Sequence, residues 1–230
     1  GVGFNDVLIE TPKHNMCIAL DTEEHVALSL RALVIRGREL LQDPNVRYVS
    51  AFKQHKCGSL VHSHWQLITT PFVPSSVEVQ LVRARRLKHR FGQCVACQVL
   101  VQQPTGKELP NERLVYASQH FVVSVPYASR ERYRLYLAPR RHSSDFFSIT
   151  QEELQDLAFV LKKVLRAFYF SLNDPPFNLA VWTRPAYADS LPGWSNSFLD
   201  RFNCKPCFQS SEEKSFDSFH WHIGIYPRGK

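Results

Sequence analysis

The 230-residue chain carries 28 Lys and Arg against 21 Asp and Glu, a formal charge of +7, with 44% apolar and 21% charged residues. That balance describes an ordinary globular protein and excludes long disorder, while 9 Gly and 14 Pro exclude a collagen-like or low-complexity chain. No apolar run reaches the roughly 18–20 residues of a bilayer span, and Gly1 to Asp6 lacks the basic-then-apolar pattern of a signal peptide. The expectation is an intracellular protein, in the cytoplasm or in an organelle matrix after processing.

The first element is a strand over Asp6 to Glu10, followed by a turn at Thr11-Pro12-Lys13-His14. A helix is expected over about 22–42. Asp21 and Glu24 form a capping-box-like pair, and Val26, Leu30, Leu33, Val34 and Leu41 share one face. Asp43-Pro44-Asn45 stops it, a strand runs from Val46 to Phe52, and His62-Ser63-His64-Trp65-Gln66 opens a β-rich run. The segment 81–93 is basic, with Arg83, Arg85, Arg86, Lys88 and Arg90, and reads as a solvated helix face plus a loop. Beyond it come Cys94 and Cys97, then strand-like runs Arg113 to Ala117 and Phe121 to Val125.

The order then repeats. A strand over Tyr133 to Leu137 leads to Pro139-Arg140-Arg141-His142. Thr150 and Glu153 make a capping box for a helix with its apolar stripe at Leu154, Leu157, Leu161, Val164, Leu165 and Phe168. Asn173-Asp174-Pro175-Pro176 ends it, and a strand over Phe177 to Trp182 precedes His220-Trp221-His222-Ile223. His14 and His62 lie 48 positions apart, and His142 and His220 lie 78 apart. The difference fits an insertion at about 184–218, rich in Ser, Asp, Pro and Asn. The domain expectation is therefore residues 1–80 as the C-terminal part of a first module, 81–93 as a connector, and 94–230 as a second module. The first lacks the front half that the second has, so an incomplete first module is expected.

Six cysteines include two C-x-x-C pairs, Cys94/Cys97 and Cys204/Cys207. Such a turn brings two thiolates to one tetrahedral metal, and without a secretory signal a metal or redox role outranks a disulfide framework. The four cysteines can also be written as one four-thiolate site, and that alternative stands open. On a strand, His62, His64 and Gln66 share a face, and polar side chains in a row are costly to bury without a purpose. The plain reading is metal binding or core imidazoles with satisfied hydrogen bonds. The sharper one is an imidazole that attacks phosphorus, a Gln that donates to a phosphoryl oxygen, and a Gly58-Ser59 loop that admits phosphate to backbone N–H groups.

These segments resemble the galactose-1-phosphate uridylyltransferase family of the histidine-triad superfamily. The resemblance rests on Leu8 to His14, Val46 to Lys53, His62 to Gln66, Cys94 to Cys97, Phe121 to Ser129, Pro139 to His142 and Phe219 to Ile223, in order along the chain. It implies an α+β fold of tandem histidine-triad-like modules, each an antiparallel sheet packed with a helix. It implies transfer of UMP or AMP between sugar phosphates through a nucleotidyl group on His64, with Gln66 holding the phosphoryl. Lys53, Gln54, Gly58 and Ser59 fall at the phosphate-holding stretch. Zinc is the implied cofactor, held by Cys94, Cys97, His142 and His220 in the second module and by His14 and His62, an incomplete set, in the first.

The chain also departs from that pattern. Gln54 stands for the usual Asn, the Gly-rich loop is about four residues shorter, Ser63 replaces Pro, Arg132-Tyr133-Arg134 replaces Pro-Phe-Glu, and Gly224 replaces a Glu. The alternative expectation is a catalytically inactive, zinc-stabilised pseudoenzyme, a structural or binding subunit of a larger assembly. Its partners would be a homodimer mate or a complex covering the first module, with RNA drawn by the Arg clusters at 83–90 and 130–141.

Overall fold

A computed structural model describes residues 3–98, 113–186 and 218–228. The elements are β1 (Asn5–Ile9), α1 (Glu23–Leu40), β2 (Tyr48–His55), β3 (His64–Thr70), α2 (Ser75–Phe91), β4 (Leu114–Ala117), β5 (Phe121–Ser124), β6 (Leu135–Pro139), α3 (Gln151–Ser171), β7 (Phe177–Trp182) and β8 (His222–Pro227). The fold is α+β, as the sequence indicates. The two modules do not carry separate sheets, however. All eight strands form one antiparallel sheet in the order β1-β3-β2-β7-β8-β6-β5-β4.

The seam is β2 against β7, and its register explains the repeat. Phe52 pairs with Gln66 in the first half, and Ala180 pairs with Gly224 in the second. Phe52 and Ala180 also pair with each other. The two halves are thus related by a pseudo-two-fold axis through that pair, with β1, β2 and β3 corresponding to β6, β7 and β8.

Alternation along the strands gives the sheet two unlike faces. On one, Val49, Ala51, Trp65, Leu67, Leu137, Leu179, Val181, Ile223 and Ile225 pack under α1 and α3 in the main core. Both helices owe their place to an apolar stripe, and both start at a threonine cap. Thr150 makes the full capping box with Glu153. The other cap is Thr22 rather than Asp21; it accepts from His25 N, while Asp21 instead receives Thr22 N and pairs with the His25 ring at 2.7 Å. A side chain one position nearer the first turn reaches the orphan N–H groups better.

The opposite face is covered only in part. There α2 lays Val77 and Leu81 on Tyr48 and Phe219, with Arg83, Arg86 and Arg90 exposed. No helix of the described residues is long and apolar enough to cross a membrane.

Candidate active site and metal centre

Cys94, Cys97, His142 and His220 converge so that their ligand atoms all lie within 4.8 Å of one another, the only such group of three or more among the described residues. Cys97 Sγ lies 3.1 Å from His142 Nδ1 and 3.4 Å from His220 Nδ1. The second nitrogen of His220 donates to the carbonyl of Pro139 at 2.8 Å. That bond fixes the tautomer and leaves the Nδ1 lone pair facing the thiols, the outer-shell arrangement metal-bound imidazoles need. Burial pushes the Cys94 thiol up, but its contacts with His142 and His220 and the Cys97 backbone hydrogen bond outweigh that and bring it down to about 5. The donor set, two soft thiols and two imidazoles, one of them oriented by the Pro139 carbonyl, fits a tetrahedral N/S metal such as zinc. The alternative pair, Cys204 and Cys207, lies outside the described residues, as does most of the 184–218 insertion.

In the first half the corresponding imidazoles, His14 and His62, stand edge to face with centroids 6.0 Å apart, against 5.2 Å for His142 and His220. His62 Nε2 meets the Thr11 carbonyl at 2.6 Å, as His220 meets Pro139. Half of the pattern is therefore repeated. Among the described residues no third ligand joins it.

His64 lies at the start of β3 and is almost fully buried. Its Nδ1 donates to the His62 carbonyl at 2.7 Å, which in the neutral ring puts the lone pair on Nε2. Gln66, two residues on, brings its amide Nε2 to 3.5 Å from that nitrogen. The short Gly58 loop folds over the same spot. A Cβ on Gly58 would meet Gln54 Oε1 at 3.5 Å and His64 Cε1 at 3.9 Å, so the loop, Gln54 and His64 line one recess. Next to it, a cavity of about 370 Å³ opens along the seam, lined by Tyr48, Phe52, Gln54, Asn178, Trp182 and Tyr226.

Lys53 is not part of that recess. It alternates with Gln54, so it points to the helix-packed face, where its ammonium is buried against Glu10, Ser63 and the His64 carbonyl. A phosphate contact from Lys53 is excluded by its direction, and the phosphate-facing set reduces to Gln54, Gly58 and Ser59. Strand phase alone would have shown this, because Lys53 is in register with Val49 and Ala51. In the basic run at 130–141, Arg130, Arg132 and Arg141 are exposed, while Arg134 and Arg140 are half-buried. Arg134 lies over the rings of Tyr226 and Tyr136, at 4.7 and 5.4 Å. Arg140 donates to Ser118 O at 2.9 Å, and Arg141 forks onto buried Glu153 at 2.7 and 2.9 Å.

The second His-x-His strand reproduces the backbone geometry without the chemistry. His222 Nδ1 meets the His220 carbonyl at 3.2 Å, as His64 meets His62. Burial lowers His222 to about 4, against a partial lift from that backbone bond. The position matching Gln66 is Gly224, and the Tyr226 ring occupies the space a side chain would take, with its hydroxyl 2.2 Å from where a Cβ would sit. Trp182 Nε1 donates to that hydroxyl at 2.9 Å. Gly224→Gln therefore does not recreate a second site. It overpacks Tyr226 and lowers stability by about 1–3 kcal/mol in thermal unfolding.

Fold and site together define the class: a tandem histidine-triad-type α+β protein with one intact His-x-His-x-Gln strand. No family model matches the chain. It is 29% identical over 188 residues to ADP-glucose phosphorylase of Arabidopsis thaliana, covering 80% of this chain and 51% of that protein. It is 30% identical over 178 residues to galactose-1-phosphate uridylyltransferase of Thermotoga maritima, covering 76% and 54%. The crystal structure of an Arabidopsis thaliana ADP-glucose phosphorylase with bound ADP-glucose superposes with a TM-score of 0.81 at 24% identity, over 100% of this chain and 64% of that one. A uridylyltransferase structure gives 0.78 at 22% identity, over 98% and 63%. The homologues of this chain are thus proteins of the galactose-1-phosphate uridylyltransferase family, nucleotidyltransferases that act on sugar phosphates, and it shares their fold. It spans about half the length of the relatives it matches by sequence.

Proposed function

We propose that this chain carries the nucleophile of a sugar-phosphate nucleotidyltransferase, transferring UMP or AMP through a nucleotidyl group on His64. The observation that carries the reading is the His64 tautomer. Its Nδ1–H is held by the His62 carbonyl at 2.7 Å, so in the neutral ring the lone pair lies on Nε2, facing the Gln66 amide. An unprotonated imidazole nitrogen in a buried recess is a competent nucleophile toward phosphorus. As the Nε2–P bond forms, the P–O bond to the sugar phosphate breaks, and the sugar 1-phosphate leaves with the electron pair. A second phosphate-bearing acceptor then attacks phosphorus and takes the nucleotidyl group from His64.

The Gln66 amide, 3.5 Å from His64 Nε2, is the donor to a phosphoryl oxygen as charge builds there. Gln54 and the Gly58-Ser59 backbone flank the same oxygens. The adjoining cavity of about 370 Å³, with its aromatic and amide lining, suits one base or sugar moiety. Zinc is the proposed resident metal of Cys94, Cys97, His142 and His220. Four protein ligands leave it no open position, so when bound it supplies cross-linking, not chemistry. His14 and His62 are the proposed half of a corresponding site in the first module.

The test is incubation with ADP-glucose or UDP-glucose labelled in the α-phosphate. The expected result is acid-labile label on the protein, approaching one per chain, with release of glucose 1-phosphate. Absence of label with both nucleotide sugars contradicts the reading.

A further inference from the structure

The clearest polar feature of the core is the group beneath His64: Lys53, Glu10 and Ser63. We propose that Lys53, with Glu10 and Ser63, is a positioning device that locks the His62–His64 segment and so aims His64 Nε2. This rests on the reading of His64 as the nucleophile.

Lys53 is 1% exposed. Its Nζ lies 2.9 Å from Glu10 Oε2, 2.7 Å from Ser63 Oγ and 3.3 Å from the His64 carbonyl oxygen. An ammonium has three N–H donors, and these three acceptors use them all. Ser63 Oγ donates onto the same Glu10 Oε2. Glu10 N donates to the Ser63 carbonyl at 3.2 Å. The residue between the two histidines is therefore held by side chain and backbone alike, and the His64 peptide by the ammonium. The segment so held includes the His62 carbonyl that sets the His64 tautomer.

The second half shows that the fold does not require this group. The registers superpose Lys53 on Val181, Ser63 on Trp221 and Glu10 on Pro139. There the side chains at these positions are apolar: Trp221 and Val181 are buried in the core, and Trp221 packs on Phe146 at 5.1 Å between centroids, while its backbone N donates to the Ser143 carbonyl at 2.9 Å. A buried ion pair is a poor stability device, since apolar replacements of similar volume are often neutral or better. Among the described residues Glu10 Oε1 is moreover buried without a hydrogen-bond partner, which adds cost. The half that keeps the polar group is the half with the intact His-x-His-x-Gln. Its directional bonds give what apolar packing does not, a fixed peptide orientation under His64.

The experiment replaces the whole group by apolar side chains in the triple variant E10L/S63A/K53M, which strands no charge, and compares it with Ser63→Ala, which removes one hydroxyl. Three quantities are read: the melting temperature, the His64 tautomer by ¹⁵N NMR, and the single-turnover rate of nucleotidyl labelling. The triple variant is expected to melt within a few degrees of the parent. Its His64 turns from a pure Nδ1–H form into a tautomer mixture, and labelling slows on the order of 10²-fold with nucleotide-sugar affinity little changed, the scale of a misplaced reacting group. Ser63→Ala moves the same way by less. A triple variant with the parent tautomer and the parent rate overturns the proposal. If the parent itself takes no label, the transferase reading fails, and the tautomer comparison still decides whether the group positions His64.

Discussion

Replacing His64 with Asn eliminates nucleotidyl labelling and lowers transfer on the order of 10⁴-fold or more, the scale on which covalent nucleophiles act. Asn is close in size and polar, so the recess, the Gly58 loop and the strand pairing of β3 are kept, and the melting temperature changes little. What disappears is the lone pair that the bond to the His62 carbonyl places on Nε2 of the neutral ring. Gln66→Ala is the graded companion. It leaves His64 in place and removes one donor near the phosphoryl oxygens, for a loss of roughly 10²–10³-fold. Equal effects of the two changes on the labelling rate would mean that His64 contributes only as another hydrogen-bonding group.

The second large effect is on stability. Cys97→Ser, or a strong chelator applied to the parent protein, removes about one zinc per chain and costs on the order of 4 kcal/mol or more, the range reached when a structural metal is lost. For a chain of this length that lowers the melting temperature by roughly 10 °C or more. The reason lies in what the four ligands join: Cys94 and Cys97 follow α2, His142 follows β6, and His220 precedes β8. Loss of the metal leaves buried thiols and two imidazoles facing one another in the junction of these elements. Cys57→Ser is the control; Cys57 donates to Asn178 Oδ1 at 3.1 Å, away from the cluster, and its loss keeps the metal. Release of zinc by Cys204→Ser or Cys207→Ser with Cys97→Ser silent would replace the ligand set.

Much of this was legible in the residues because the chain repeats itself. Two capped helices, two turns carrying a His and two His-x-His strands occur in one order, and that order matches His14 with His142 and His62 with His220. What the sequence did not reveal is how the halves join. The β2–β7 seam pairs residues more than 120 positions apart, and no local pattern announces it. The helix α2 was read from its arginines as a solvated face. Only Val77 and Leu81 are buried in it, too few to mark a covering element, yet they cover part of the open side of the sheet.

Two assignments failed for related reasons. Lys53 was grouped with the phosphate-facing residues by its neighbours in sequence, although strand phase turns it to the core. The sequence places Arg134 in a basic run, but its guanidinium is taken up by Tyr136 and Tyr226, which alternate onto its face from β6 and β8, whereas Arg130, Arg132 and Arg141 are exposed. The loss of the second site follows the same logic. Gly224 reads as a missing acidic residue, and only the Tyr226 ring lying across it shows that the space itself has been reassigned.

The two His-x-His strands, alike in backbone and unlike in surroundings, make the most direct measurement available. The protein is trapped with a nucleotide sugar under mild alkaline quench, digested, and the modified residue located by mass spectrometry. The account predicts a single nucleotidyl adduct on His64 and none on His222, where Gly224 lacks the Gln66 amide and the Tyr226 ring fills its space. An adduct on His222, or a parent protein that carries none on His64, contradicts it.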